Sequence, residues 1–210
     1  MKAFIAQAFV IFLSLQLGSC RHTETPAVSP EPVDHAIRVD PGIHDTHKLD
    51  WTAKSSYVDM KVPYAPIAAL KKDIETREGV VLQSRGEAHI TVIIPPEMSV
   101  LRTRLSLEQI NGLIEKMSIQ ATRLHIQCLG RGQLKQNGQR QATYYLLVQA
   151  PGLVQVRDKL RQMFVAAGGD RQAFVAERYS AHITVGFTDR DLHATDGVIK
   201  DSKTCLYKVL

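Results

Sequence analysis

The chain has 210 residues, a formal charge of +5 and 44% hydrophobic residues. That apolar content suffices for a proper core and excludes a chain unfolded throughout; the length suits one domain, of one or two lobes. The positive balance is compatible with an anionic partner but too mild to specify one.

At the N-terminus, Lys2 precedes AFIAQAFVIFLSLQL, an apolar run too short and too N-terminal for a membrane span. It reads as the core of an export signal over residues 1–19. The run ends in Leu17-Gly18-Ser19-Cys20, which resembles a bacterial lipobox. That resemblance implies that Cys20 becomes the lipidated N-terminus after cleavage and anchors the protein in the cell envelope. An ordinary cleaved signal and a retained anchor are the alternatives, and all three export the domain.

Residues 20–50 hold four of the nine prolines and almost no apolar periodicity, so they are expected to form a flexible tether. His44 and His47 within it could suggest a metal pair, but a polar tether does not supply three or four fixed ligands. Besides Cys20 there are Cys128 and Cys205, which can pair in an oxidising compartment or stay as separate buried thiols.

The domain is expected from 51 to 210. SYVDMKVPY alternates like a strand, and PIAALKKDIETREG follows with helical spacing and a stop at Gly79. AHITVIIP reads as a strand that ends at Pro95-Pro96. SLEQINGLIEKM opens on Ser106, a candidate N-cap. TRLHIQCLG and ATYYLLVQA read as strands joined by the turn-prone RGQLKQNGQRQ, and LVQVRDKLRQMFVAAGG as a long helix. A second AHITVGF strand and a closing TCLYKVL strand complete the chain. The expected class is α+β: a two-lobed, pseudo-symmetric duplicated fold, with a mixed or antiparallel sheet and a helix in each lobe and a cleft between them. Element order carries the duplication, since strand, helix and His-Ile-Thr strand occur in 57–94 and again in 143–187.

Arg85–Val92 reads RGEAHITV and Arg178–Val185 reads RYSAHITV, so six of eight positions agree. His-x-Thr alone means little, for it occurs four times, at His44, His89, His182 and His193. Only His89-Ile-Thr91 and His182-Ile-Thr184 sit inside β-branched runs. On a strand the histidine and threonine point to one face and the isoleucine to the other. Two lobes packed about a twofold axis would then bring His89, Thr91, His182 and Thr184 into one cleft. There one imidazole can take a proton and the other give one, while the hydroxyls hold non-bridging phosphate oxygens.

Paired His-hydrophobic-Thr motifs, one per half of a duplicated α+β fold, resemble the two-histidine (2H) phosphoesterase superfamily from Tyr57 to the C-terminus. The resemblance implies cleavage of a cyclic phosphodiester with no metal or other cofactor, on a 2′,3′-cyclic nucleotide or RNA end or a related nucleotide. His89 and His182 would be the acid–base pair and Thr91 and Thr184 the phosphate holders. Export of such a domain leaves its substrate open. The competing reading of the motifs is two similar core strands with inert histidines.

Four further residues are candidate substrate contacts. Arg85 and Arg178 each precede their histidine by four residues, about 13 Å along a strand, which suits the rim of a cleft or a solvent-facing strand start. Arg131, between glycines, offers an anion contact or a plain loop charge. Tyr179 offers a stacking face for a base, or core packing. A zinc centre would need a third ligand beside the histidines, and His182 with Asp189, Asp191 and His193 matches no zinc spacing. No nucleophile motif of a serine or cysteine hydrolase appears. The non-enzymatic alternative is an envelope lipoprotein that binds a phosphate-bearing ligand or a protein in the same cleft.

Overall fold

In the computed structural model, residues 36–44, 56–136 and 138–210 are described. The alternating runs pair as strands and the longer apolar periods form helices. The named elements are β1 (Val58–Val62), α1 (Tyr64–Glu78), β2 (Ala88–Ile93), α2 (Pro95–Leu101), α3 (Leu107–Met117), β3 (His125–Gln136), β4 (Gln139–Gln149), α4 (Pro151–Ala166), β5 (His182–Phe187) and β6 (Cys205–Lys208). Local signals explain several boundaries. Gly79 closes α1 in the left-handed region (φ 63°), where its missing Cβ avoids a penalty, and its N–H bonds Glu75 O. Ser106 Oγ accepts from Gln109 N while Gln109 Oε1 accepts from Ser106 N, a reciprocal cap worth about 1 kcal/mol.

The strands form one six-stranded sheet in the order β1-β2-β5-β4-β3-β6, and every neighbouring pair of named strands is antiparallel. The fold is therefore α+β with an antiparallel sheet, not a mixed one. Strand–helix–strand occurs twice, as β1-α1-β2 and as β4-α4-β5, and β2 and β5 lie side by side in the middle.

One face of the sheet carries the main core. Met60, Ile90, Ile183, Leu146 and Leu129 meet Ile67, Leu70 and Ile74 of α1 and Leu153, Val156, Leu160 and Phe164 of α4. Each such side chain contributes about 1.5–3 kcal/mol by leaving water. The other face is overlaid by residues 188–204, in which Leu192 and Val198 are buried. Thr143 holds that segment: its Oγ1 accepts from Leu192 N at 2.8 Å. The close approach requires glycine, because a Cβ on Gly132 would lie 2.3 Å from Val198 Cγ1. Cys128 and Cys205 are joined as a disulfide between β3 and the start of β6.

Three expectations change. First, the strands β3 and β4 run on to a tight hairpin pairing Gln136 with Gln139, so RGQLKQNGQRQ is mostly strand. Second, Pro95 does not only end β2; it starts α2, where a residue without an N–H fits the first turn. Third, residues 36–44, placed in the tether by composition, dock on the domain. Ile37 and Ile43 are fully buried, and Ile37 bridges Val209 at the sheet edge. The export signal, Cys20, His47 and the rest of the tether lie outside the described residues. Among the described residues no helix is long and apolar enough to cross a membrane.

The opposite edge is closed by a side chain. Gln120 accepts from Lys61 N at 2.9 Å and donates to Lys61 O at 3.1 Å, occupying the backbone groups β1 would otherwise expose. Behind β2, Arg157 of α4 is buried between Phe174 and Tyr179, its guanidinium 5.0 and 4.7 Å from their ring centres. It forks onto Glu97 (2.8 and 2.7 Å) and donates to Val92 O (2.8 Å) and Ala176 O (3.0 Å). This knot ties α4, α2 and the end of β2 together. Arg157→Ala should therefore cost about 3–5 kcal/mol in urea denaturation, because it strands Glu97 and several carbonyls. A loss below about 1 kcal/mol would mean that the knot is dispensable.

Candidate active site

Ile90 and Ile183 are antiparallel partners and both are fully buried in the main core. Side chains one step away on either strand must point to the opposite face. Antiparallel register then sets His89 across from Thr184 and Thr91 across from His182, all four on one side. Each histidine thus faces the threonine of the other motif.

His182 Nδ1 lies 2.8 Å from Ser180 O. A carbonyl only accepts, so Nδ1 carries the hydrogen and Nε2 presents a lone pair. Lys200 Nζ stands 3.3 Å from that Nε2 and 2.9 Å from Asp191 Oδ1. The Tyr145 ring meets the imidazole edge to face, with centres 5.8 Å apart, and Tyr145 OH bonds Thr204 Oγ1. Burial, followed by the Lys200 ammonium, pushes the His182 pKa down to about 4. The ring is neutral at neutral pH.

Asp191 organises the surroundings. Burial alone would raise its pKa, but Lys200 outweighs that and holds it below the usual carboxylate range. Its Oδ2 accepts from Thr184 Oγ1 at 3.2 Å, lies 3.5 Å from the Arg85 guanidinium and 4.0 Å from His193 Nε2.

His89 has a different neighbourhood. Its Nδ1 is 3.6 Å from Glu87 Oε1. On β1, Lys61 pairs with His89 and Asp59 with Thr91, and Lys61 Nζ reaches Asp59 (3.0 Å) and Glu87 (2.8 Å). Burial lowers the His89 pKa, and the Asp59 carboxylate is the strongest influence against it. So the dominant charge beside His182 is a cation, and beside His89 a carboxylate. A small hollow beside His89 is lined by Ser84, Arg85, Glu87, His89 and Thr184. Burial lowers the pKa of both imidazoles, but Lys200 adds to the lowering at His182 while Asp59 opposes it at His89. The two rings thus differ in how readily they hold a proton and, with hydroxyls beside them, can give and take protons across one substrate.

The family model described as "Swiss Army Knife, 2H phosphoesterase domain" matches residues 56–193, which include both motifs. The chain belongs to the 2H phosphoesterase family. It is accordingly a hydrolase of phosphodiesters, and a phosphate-bearing nucleotide or RNA is a compatible substrate. Among curated proteins, none matches this chain.

The 2H phosphoesterase domain does not gather every candidate contact at the histidines. Arg131 belongs to β3 and not a loop; its side chain ion-pairs with Glu78 of α1 at 2.7 Å, beside Tyr144 and Tyr207. It thus sits on the helix-covered face, away from the histidines. Tyr179 is committed to packing on Arg157. Arg178 is exposed in the turn before β5. Arg85 is also off its strand, since β2 begins at Ala88 after a turn at Gly86 (φ 70°), yet it lines the hollow. Where a zinc reading would put a metal, between His182 and Asp191, the structure puts the Lys200 ammonium.

Sequence reasoning missed Lys200, Asp59, Lys61 and Tyr145. Strand pairing could have suggested the β1 residues, as SYVDMKV is the strand before the first motif with α1 between them; Lys200 has no motif around it. In a 15N NMR titration of the free protein, His182 should stay neutral with its proton on Nδ1 down to about pH 4. Titration near 6.5, the ordinary value, would contradict this environment.

Proposed function

We propose that the domain hydrolyses a cyclic phosphodiester, a 2′,3′-cyclic nucleotide or RNA end or a related nucleotide, by paired-histidine acid–base catalysis without a metal. The observation that carries this is the pairing of Ile90 with Ile183, which sets both histidines and both threonines on one sheet face. We also read β1-α1-β2 and β4-α4-β5 as two copies about a pseudo-twofold axis between β2 and β5, a reading supported by the strand order.

The electrostatics favour one assignment of roles. His182, neutral with a lone pair on Nε2, is the general base, and His89, beside Asp59 and Glu87, is the general acid. Water attacks phosphorus as its proton passes to His182. The bond from phosphorus to one ring oxygen breaks, and His89 gives that oxygen its proton. A phosphomonoester and a free hydroxyl result, and the two rings exchange protons with solvent to reset. Thr91 and Thr184 donate to the non-bridging oxygens; Thr184 must release Asp191 to do so.

Turnover of uridine 2′,3′-cyclic phosphate in EDTA tests the reaction. His89→Ala and His182→Ala should each lower kcat by about 10²–10⁴; near-normal turnover in both would overturn the mechanism. A general base active when neutral gives kcat/KM that rises with pH through its pKa, about 4 for His182. A general acid active when charged makes the rate fall above its own pKa, which for His89 is below the ordinary value. The bell should therefore peak on the acid side of neutrality, and a maximum above about pH 7 would contradict the lowered pKa of both histidines.

We propose further that the protein is exported and lipid-anchored at Cys20, a reading supported by the Leu-Gly-Ser-Cys sequence after an apolar run. Fatty-acid label should enter the wild-type protein in bacterial cells and not Cys20→Ser; label in both would refute it.

A further inference from the structure

Lys200 is 6% exposed, and no motif in the sequence points to it. Burying an ammonium is costly unless its charge is matched and its hydrogens are placed. Asp191 matches the charge. The Tyr145 ring, its centre 5.4 Å away, covers one side. The remaining partner is His182 Nε2, the nitrogen that the proposed reaction needs unoccupied. The position is well anchored. Lys200 O accepts from Ser180 Oγ, Thr204 Oγ1 donates to Asp201 O at 2.6 Å, and the next residue, Cys205, is bonded to Cys128.

A base must lie within hydrogen-bond reach of the attacking water, and that water within reach of phosphorus. Any phosphoryl group placed for attack under His182 therefore comes close to an ammonium that is 3.3 Å from the same nitrogen. An anionic phosphoryl oxygen is a stronger partner for Lys200 than a neutral imidazole. We propose that Lys200 is a catalytic phosphate ligand of this site: in the resting protein its ammonium caps His182 Nε2, and a non-bridging oxygen of the substrate draws it away. The exchange frees the lone pair only when an anion is bound, and leaves a cation where charge gathers in the transition state. Asp191 is the positioning residue. Its two carboxylate oxygens hold Lys200, the Thr184 hydroxyl and Arg85, three donors aimed at the same region. The inference rests on the acid–base reading of His182 given above.

Two measurements test it. With 15N-lysine in the wild-type protein, inorganic phosphate should shift the Lys200 ammonium resonance; a resonance unmoved at saturating phosphate overturns the proposal. In Lys200→Met, kcat/KM for uridine 2′,3′-cyclic phosphate should fall about a hundredfold or more, mainly through kcat. The groups facing His182 are Lys200, Asp191 and His193 from the overlying segment, Tyr145 from β4, Thr91 across on β2, Thr184 on its own strand and the Ser180 carbonyl. Removing the nearest cation should also move the acid limb of kcat/KM to higher pH, as its place beside His182 requires. Activity within about threefold of wild type and an unmoved limb would overturn the proposal. Lys200→Arg keeps the charge and should keep more activity than Lys200→Met; equal loss in both argues against a charge role. An active wild type whose Lys200 ignores phosphate sinks this inference alone. An inactive wild type whose Lys200 responds sinks the cyclic-diester reading and leaves the phosphate contact standing.

Discussion

The antiparallel partnership of Ile90 and Ile183 ties the packing of the core to the chemistry of the opposite face. Both isoleucines are buried beneath the helices, so the register cannot slip by one residue without turning them into the open and the histidines into the core. The core side chains contribute several kcal/mol to keeping it, and the imidazoles and hydroxyls inherit their positions from it. Arg157 reinforces the arrangement from behind, since its guanidinium holds the carbonyl of Val92 on the same strand that carries His89. Stability and site geometry are thus maintained by the same contacts.

Matched placement does not make the histidines equivalent. Alternation and pairing treat His89 and His182 alike, but their neighbours differ. The β1 strand brings Asp59 and Lys61 alongside the first motif, and Glu87 adds a second carboxylate. The overlying segment brings Lys200 and Asp191 to the second. Asymmetric proton transfer needs such a difference, because two imidazoles in identical settings would share one protonation preference.

Much of this was readable in the sequence wherever a local rule decided the outcome. Gly79 and Ser106 mark helix ends because the αL cap and the capping box are local. The two His-Ile-Thr strands were visible from β-branched alternation. The Asn137-Gly138 dipeptide is itself a hairpin signal, but the polar run around it masked a long ladder whose residues need no apolar pattern on an exposed hairpin. Arg131 and Tyr179 show the opposite limit. Flanking glycines suggested a loop for one and the adjacent motif a site for the other, yet Glu78 and Arg157, far away in sequence, decide where each side chain goes. Ile37 and Ile43 were hidden by the prolines around them, which lower the average that a composition argument uses.

Lys200 was illegible for a related reason, and its position also says where the site's asymmetry originates. The match to the family covers 56–193 and includes both histidine motifs, whereas Lys200, Thr204 and Cys205 follow it in the chain. The paired motifs supply a nearly symmetric set of imidazoles and hydroxyls. The later segment folds back over one of them and adds a buried cation. Its hold depends on long-range features: the missing side chain at Gly132 that admits Val198, the Thr143 hydroxyl that holds Leu192, and the bridge from Cys205 to Cys128. None of these is a property of residues near Lys200 in sequence. A segment fixed at both ends can keep an ammonium in contact with an imidazole that a free lysine would leave for water. The difference between the two histidines is therefore built by tertiary structure on a pattern that the sequence writes twice.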